Sequence, residues 1–483
     1  MHNKIFTHKF LARVVVEAET PVSVGSDKGD MTSDQLVLRD INDLPFIPGT
    51  SLAGVLRHSL SMEESMKDRV FGYQKGDDGE GSRLIVSSAH MVGENGIVID
   101  GINTALAGDP FFSRFKNLPV RQHVRITHRG AAADQGKFDE EVIYKGTRFC
   151  FELEMTGDYS EADQHAWNDI ISQFRNPAFR IGGGTRKGFG KVKVVSCKTA
   201  ILDLTTDVAL SRYLDKSSSL ADEKDWWKVS EETLPEALRN NEWTEYSLSL
   251  TPEDFFLFGS GLESEDADMT FVVEDVLEWD NNNQPSWKEK RVFIPASSLK
   301  GALAHRITYH FNKTAGITVE KLKEDDALEF LLQKGFKINK GKFDSSKDSI
   351  LNIVAQNNPA VVELFGQANG EDDIMRGKVI FSDFYFDNEP EKKLFNHVAI
   401  DRFTGGAMDG ALFSEEVVFG KNMKAELVIL VHNSVMKKSD IIDAFEQTLT
   451  DLCTGMLPLG GGTMRGHGCF NGTYYKNGKE VQQ

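Results

Sequence analysis

Cysteine is scarce. The 483-residue chain has 4, and Cys150, Cys197, Cys453 and Cys469 lie far apart with no CxxC pair; His467 beside Cys469 is the one histidine at close spacing. That pattern argues against a disulfide framework or a thiolate metal cage and leaves isolated reduced thiols in a cytoplasmic protein as the expectation. Long apolar runs are missing too. The opening MHNKIFTHKFLARVVVEAE has neither a signal core nor a small-residue cleavage site, and no stretch of eighteen apolar residues follows, so neither export nor membrane spanning is supported. Positive charge is in deficit, with 55 Lys+Arg against 73 Asp+Glu and a net charge of −18. Such a chain cannot coat nucleic acid with its whole surface, so any RNA or DNA site must be a local basic track on an acidic body.

What remains is ordinary globular composition, 40% hydrophobic and 27% charged, in a chain longer than one core usually serves. The reason for the length is internal repetition. FIPGTSLAGVL from Phe46 returns as FIPASSLKGAL from Phe293, and GGGTRKGFG from Gly182 returns as GGGTMRGHG from Gly460. Between these anchors, Phe71-Gly72 recurs as Phe365-Gly366, RLIVSSA from Arg83 as KVIFSDF from Lys378, HVRI from His123 as HVAI from His397, and KFDEEV from Lys137 as LFSEEV from Leu412. Landmarks repeated in one order indicate duplication. The first domain is assigned to residues 1–202, a polar linker to 203–243, and the second domain to 244–483, with an insertion at about 312–360. The linker carries SSSLADEKD and the pair Trp226-Trp227, and reads as partly helical and leaning on one domain.

Each copy opens on a strand-like alternation, Phe10, Ala12, Val14 and Val16 in the first and Tyr246, Leu248 and Leu250 in the second. After FIP the period becomes helical: Leu52, Val55, Leu56 and Leu60, then Leu299, Ala302, Leu303 and Ile307. Ser51 and Ser298 stand just before those stripes, where a hydroxyl can cap free amides. Further strand-like pieces and a helical piece near 161–174 indicate an α+β class, with helices on one face of an antiparallel sheet; a ferredoxin-like (RRM-like) core in each copy fits.

The glycine-rich segments carry the clearest chemical signal. Five glycines in nine positions leave main-chain amides able to approach a polyanion, including those of Gly183, Gly184, Gly461 and Gly462, while Arg186 and Lys187, or Arg465 and His467, sit among them. The competing reading is a tight turn of purely structural duty. No GK[ST] opens a helix afterwards, so this is not a nucleotide P-loop. The helix starts at GTSLAG and ASSLKG are a second candidate anion site, with Arg57 and Lys300 adding charge, against the alternative of an ordinary capped helix.

In order and spacing these motifs resemble the RAMP superfamily, specifically the repeated backbone subunits of type III CRISPR effector complexes. The first half has VLRD at Val37–Asp40, PGTSLAG from Pro48, VFG from Val70 and GGGTRKGFG. The second has VVED at Val272–Asp275, PASSLKG from Pro295, LFG from Leu364, IDRFTGGAMDGALFSEE at Ile400–Glu416 and GGGTMRGHG. The first half's ITHRGAAADQG is a degenerate version of the IDRFTGG stretch. The chain is thus similar to two backbone subunits fused head to tail.

The resemblance implies a groove that grips guide RNA and a protruding thumb hairpin that kinks the guide–target duplex. It also implies metal-dependent cleavage of target RNA at an aspartate six residues before the aspartate of the VIRD-like step. Asp34 holds that place relative to Asp40. In the second half the same count from Asp275 falls on Met269, one residue beyond Asp268, so Asp268 is the candidate and Asp266 the fallback. The thumb stretches begin at His123 and His397, with Arg125, His128, Arg129 and Arg402 as candidate RNA contacts.

A carboxylate beside a phosphate-bound Mg2+ or Mn2+ suits RNA, which brings its own 2′-OH nucleophile. On residue type alone, the favoured reading of Asp34 is an aspartate capping its own turn. Implied partners are guide RNA, target RNA, and other backbone and large subunits of the effector. A guide-processing endoribonuclease and a non-catalytic scaffold are the rival readings. Lys334, Lys337, Lys340 and Lys342 suggest a small basic face on the insertion, solvated surface being the default.

Overall fold

The computed structural model describes residues 6–26, 29, 33–103, 106, 108–127, 129–229, 242–338, 347–368 and 374–481. His128, Lys340 and Lys342 lie outside the described residues.

The first half is built from β1 (His8–Ala18), α1 (Gly49–Ser59), β2 (Leu84–Val86), the hairpin of β3 (Val120–Ile126) and β4 (Ala132–Glu141), β5 (Arg148–Gly157), α2 (Glu161–Gln173) and β6 (Val192–Asp203). Its sheet runs in the order β6-β1-β5-β2, antiparallel throughout, with Phe10 opposite Met155 on one side and Ile201 on the other. The period of two along β1 puts Phe10, Ala12, Val14 and Val16 on the helix side, packed with Leu52, Leu56, Trp167 and Ile170. Fully burying each of these larger apolar side chains contributes about 1.5–3 kcal/mol. Leu11, on the opposite face, meets Ala200 and Leu202 beneath the stacked rings of Trp226 and Trp227. The segment after β6 supplies that cover, through α3 (Asp207–Leu214) and β7 (Lys228–Val229), which pairs with β6.

The second half repeats the plan with β8 (Trp243–Pro252), a hairpin of β9 (Val273–Trp279) and β10 (Pro285–Ile294), α4 (Ala296–Ala315), β11 (Val379–Ile380), β12 (Phe384–Tyr385), a long hairpin of β13 (Glu391–Ile400) and β14 (Ala407–Phe419), β15 (Ala425–His432), α5 (Ser439–Cys453) and β16 (Phe470–Lys476). Its sheet order, β16-β8-β15-β11, is that of the first half strand for strand. Both are the four-stranded ferredoxin-like arrangement, and the two halves share one topology. Tyr246, Leu248 and Leu250 pack on Leu299, Leu303, Ile307, Phe445 and Leu449. The region of the insertion extends α4 to Ala315 and adds helices at Ala327–Gln333 and Lys347–Gln356 that bury Leu331 and Ile350 against this core.

Neither α1 nor α4 is capped by its serine. Pro48 and Pro295 occupy the N-cap positions with no side-chain cap bond, and Ser51 and Ser298 lie inside the first turn. Proline presets the entry backbone angle there, so the expected hydroxyl caps give way to a proline entry.

The halves are clasped together. Strands β9 and β10 reach from the second half into the first, where Leu277, Trp279 and Trp287 join the first core. Leu277 N donates to Lys145 O at 3.0 Å and Trp279 Nε1 to Gly146 O at 2.8 Å. In return β3 of the first half inserts Arg121 into the second. Its guanidinium forks onto Glu274 at 3.0 and 2.8 Å, reaches Asp383 at 2.7 Å and Tyr385 OH at 2.8 Å, and lies between the rings of Phe189 and Phe293.

Candidate nucleic-acid interface

The glycine loops are shaped by backbone demands first. Gly182, Gly184, Gly188 and Gly190, and their counterparts Gly460, Gly462, Gly466 and Gly468, all have positive φ, a region costly for residues with a Cβ. A Cβ on Gly182 would stand 2.3 Å from Ser23 O, and one on Gly460 2.4 Å from Leu257 O. Several amides expected to face a polyanion are spent internally: Gly183 N on Ser23 O, Gly190 N on Pro21 O, Gly461 N on Leu257 O and Gly468 N on Phe255 O. The turn thus serves the fold through these amides, and what it offers outward is its tip.

The tip of the first loop lines a cleft of about 660 Å³ where the halves meet, formed by Thr50, Ser51, Gly182, Gly183, Arg180 and Arg186 of the first half with Trp243, Arg376 and His432 of the second. The fold therefore joins the first helix start and the first glycine loop, two motifs well over a hundred residues apart. Arg186 bonds Gly377 O at 2.9 Å and lies over the Trp243 ring. Arg180 is 6% exposed and its Nε has no hydrogen-bond partner. Burial pushes the Arg186 guanidinium down to about 9, with Arg376 and Arg180 adding repulsion, and pushes Arg180 down to about 10. Among the described residues neither arginine has a carboxylate within ion-pair distance, and Glu242 is the acid on the lining. Buried and partly buried cations that lack counter-ions favour an incoming anion.

Lys300, at the start of α4, belongs to the same neighbourhood. Its ammonium is pushed down by burial and by the charges of Arg186 and Lys187, and a Cβ on Gly188 would touch Ala296 at 2.4 Å. Arg57 is turned elsewhere, onto Asp68 and the Gly72 carbonyl, and Ser298 is exposed. Gly461, Gly462, Arg465 and His467 form the second loop, apart from the cleft. Arg125, Arg129 and Arg402 are exposed on the two hairpins. The tip at 401–406 is tied by Asp401, whose carboxylate accepts from Phe403 N at 2.9 Å and Thr404 N at 2.7 Å.

The structure also settles which second-half residue answers to Asp34. Gly25 bridges Val37 in the first half as Gly259 bridges Phe271 in the second. VLRD therefore corresponds to Phe271–Glu274 and not to VVED, so Asp40 matches Glu274 and Asp34 matches Asp268. In that frame Asp268 stands six residues before Glu274, as Asp34 stands six before Asp40, and the apparent one-residue slip comes from counting back from Asp275. Both aspartates are held at the same point of their hairpins. Asp34 Oδ2 accepts from Asp139 N at 3.0 Å; Asp268 Oδ2 accepts from Ser414 N at 2.7 Å and Ser414 Oγ at 3.0 Å. The Ser414 amide and hydroxyl hold the Asp268 carboxyl below its ordinary range. Among the described residues no group of three or more His, Cys, Asp or Glu side chains could hold a metal ion. The aspartate carboxylates fit a divalent ion shared with phosphate oxygens, and among the described residues there is no three-ligand protein cage.

One constellation escaped the sequence reading. Directly after the amide that holds each aspartate comes a buried glutamate, Glu140 (3% exposed) or Glu415 (0%). Lys187 Nζ lies 3.0 Å from Glu140 Oε1, with His123 Nε2 at 2.8 Å. Arg465 pairs with Glu415, joined by His397 Nε2 at 2.8 Å and His467 Nε2 at 3.2 Å. His123 stacks on Phe138 and His397 on Phe413, each with centroids 4.8 Å apart. Lys187, Arg465 and the buried His467, all candidate RNA contacts by position, are thus engaged with glutamates at the hairpin bases. The recurrence of Glu-Glu in KFDEEV and LFSEEV was the available signal.

A family model for the RAMP superfamily matches residues 15–193 and 288–471, one match in each half. No curated protein matches the chain. Among the described residues no helix is long and apolar enough to cross a membrane.

Proposed function

The chain belongs to the RAMP superfamily, and from that premise we propose that it is a guide-RNA-binding backbone subunit of a type III CRISPR effector that cleaves guide-paired target RNA once in each half. Membership itself carries the coarser statement, a CRISPR-associated RNA-binding function. The observation supporting cleavage is the duplicated seat of Asp34 and Asp268 on the strand of a protruding hairpin. The cation-lined cleft between the halves supports the guide-binding part, since phosphate contacts fix register on a strand without reading its sequence.

In this reading the hairpin holds a target nucleotide out of the duplex, with its 2′-oxygen in line with the adjoining phosphorus. The 2′-oxygen bonds to phosphorus as its proton leaves toward the carboxylate of Asp34 or Asp268. The bond from phosphorus to the 5′-oxygen breaks, and that oxygen takes up a proton, leaving a 2′,3′-cyclic phosphate and a 5′-OH. A Mg2+ or Mn2+ ion held by that carboxylate and phosphate oxygens would supply charge neutralisation at the phosphate.

The test uses the assembled, guide-loaded complex and end-labelled complementary RNA. Wild type is expected to give two cuts assignable to this chain, with Asp34→Ala and Asp268→Ala each erasing one. An unchanged ladder in both variants overturns the catalytic assignment. Guide retention without any cut leaves the scaffold reading, and cleavage of precursor RNA without a target identifies a processing endoribonuclease.

A further inference from the structure

Two copies of one side-chain arrangement, alike in layout and differing in whether the cation is lysine or arginine, point to a task beyond stability. In each half a glutamate on the second hairpin strand is buried under the glycine loop, meets that loop's cation, and meets a histidine of the first hairpin strand that stacks on a phenylalanine of the second. In the first half these are Glu140, Lys187, His123 and Phe138; in the second, Glu415, Arg465, His397 and Phe413. His467 adds a third donor to Glu415 where the first half has Phe189. The residue before each glutamate gives its amide to the aspartate. The residue after the aspartate bridges to the glutamate itself, Gln35 to Glu140 and Met269 to Glu415. Each glutamate therefore sits where three parts meet: its carboxylate ties the glycine loop to the hairpin base, and its main chain bridges the aspartate loop.

We propose that Glu140 and Glu415 are positioning residues, each latching its hairpin to its glycine loop and thereby fixing the orientation of Asp34 or Asp268 toward the bound strand. The consequence for cleavage rests on the function proposed above; the latch itself does not. Glu140 is hydrogen-bonded by Lys187, with His123 Nε2 close by but off hydrogen-bond geometry, whereas Glu415 gathers Arg465, His397 and His467. A buried charged acceptor of this kind is directional, and removing its charge releases the donors it holds. The hairpin strand is then free to shift by the small distance that in-line attack does not tolerate.

Two readouts on the full chain in its guide-loaded complex separate the claims. In Glu415→Gln, hydrogen exchange at the Ser414 amide is expected to accelerate at least tenfold while the Asp139 amide is unchanged; Glu140→Gln should do the converse. In single-turnover cleavage at saturating target, Glu415→Gln should slow the cut lost in Asp268→Ala by about 10–100-fold, with the cut assigned to Asp34 and the half-saturating target concentration unchanged. The untouched half thus reports on folding within the same molecule. Lys187→Arg, which keeps the cation, should retain the first half's rate, and Lys187→Met should not. Unaltered exchange in both glutamine variants overturns the latch, as does an equal loss of both cuts or a loss of target affinity at constant rate. If wild type makes no cut, the proposed function falls and exchange alone decides the latch.

Discussion

The two glycine loops share their backbone and differ in what they touch. In the first, Arg186 leaves the tip to sit over Trp243 and bond Gly377 O of the other half. In the second, the equivalent residue is Met464, 100% exposed. The positive-φ glycines, the internal amide bonds and the glutamate-bound cation are common to both. The turn is therefore fixed by its own chain, and the tip is adapted to whatever lies beyond it. The same holds one layer deeper, where Arg121 fills a pocket in the other half while its counterpart Phe395 packs at home beside Phe255 and His467.

The sharpest way to break this comparison is at Arg121. Arg121→Met removes the cation from a pocket that holds Glu274 and Asp383, and a loss of about 3–5 kcal/mol is expected because two buried carboxylates lose their partner. Phe395→Leu in the equivalent place should cost less than about 1.5 kcal/mol. Urea unfolding of the two variants measures the difference, and equal losses would show that the joint is no more demanding than ordinary core. A smaller effect, and this time a symmetric one, is expected at the loops. Gly182→Ala and Gly460→Ala each place a Cβ against a carbonyl at positive φ, for about 1–3 kcal/mol each. Clearly unequal values would break the equivalence of the turns.

The smallest expected effect is on acid stability. Burial would raise the carboxyls of Glu140 and Glu415. His123 and Lys187 in the first half, and Arg465, His397 and His467 in the second, nevertheless hold them below their usual 4.5. A folded value below the unfolded one stabilises fully above about pH 4.5 and is lost as pH falls through the folded value. Thermal melts between pH 6 and 3 should therefore decline less steeply in Glu140→Gln and Glu415→Gln than in wild type. An unchanged slope would mean that the latch charges do not contribute.

Much of this was written plainly in the chain. The repeat of β1 alternation, helix stripe, hairpin and glycine loop follows from local periodicity, and the shared sheet order follows from the repeat. Three features were not legible. The equivalence of Asp34 and Asp268 depends on matching VLRD to Phe271–Glu274, one residue before VVED, a frame set by a tertiary bridge and not by the motif letters. The latch joins residues such as Glu140 and Lys187 through tertiary contact, so the repeated Glu-Glu registers as a landmark without a role. The segment between Val273 and Ile294 contains Asn281, Asn282 and Asn283 at a turn and Trp279 and Trp287 beside it, a pattern of a hairpin. That its tryptophans belong to the core of the other half is visible only in three dimensions.

That hairpin has a consequence for metrology. With Trp279 and Trp287 sunk in the neighbouring core and Arg121 answering from the other side, the step from one half to the next is carried inside one polypeptide. If each half cuts a bound strand as proposed, the interval between the two cuts is set within this molecule and not by the subunits that flank it.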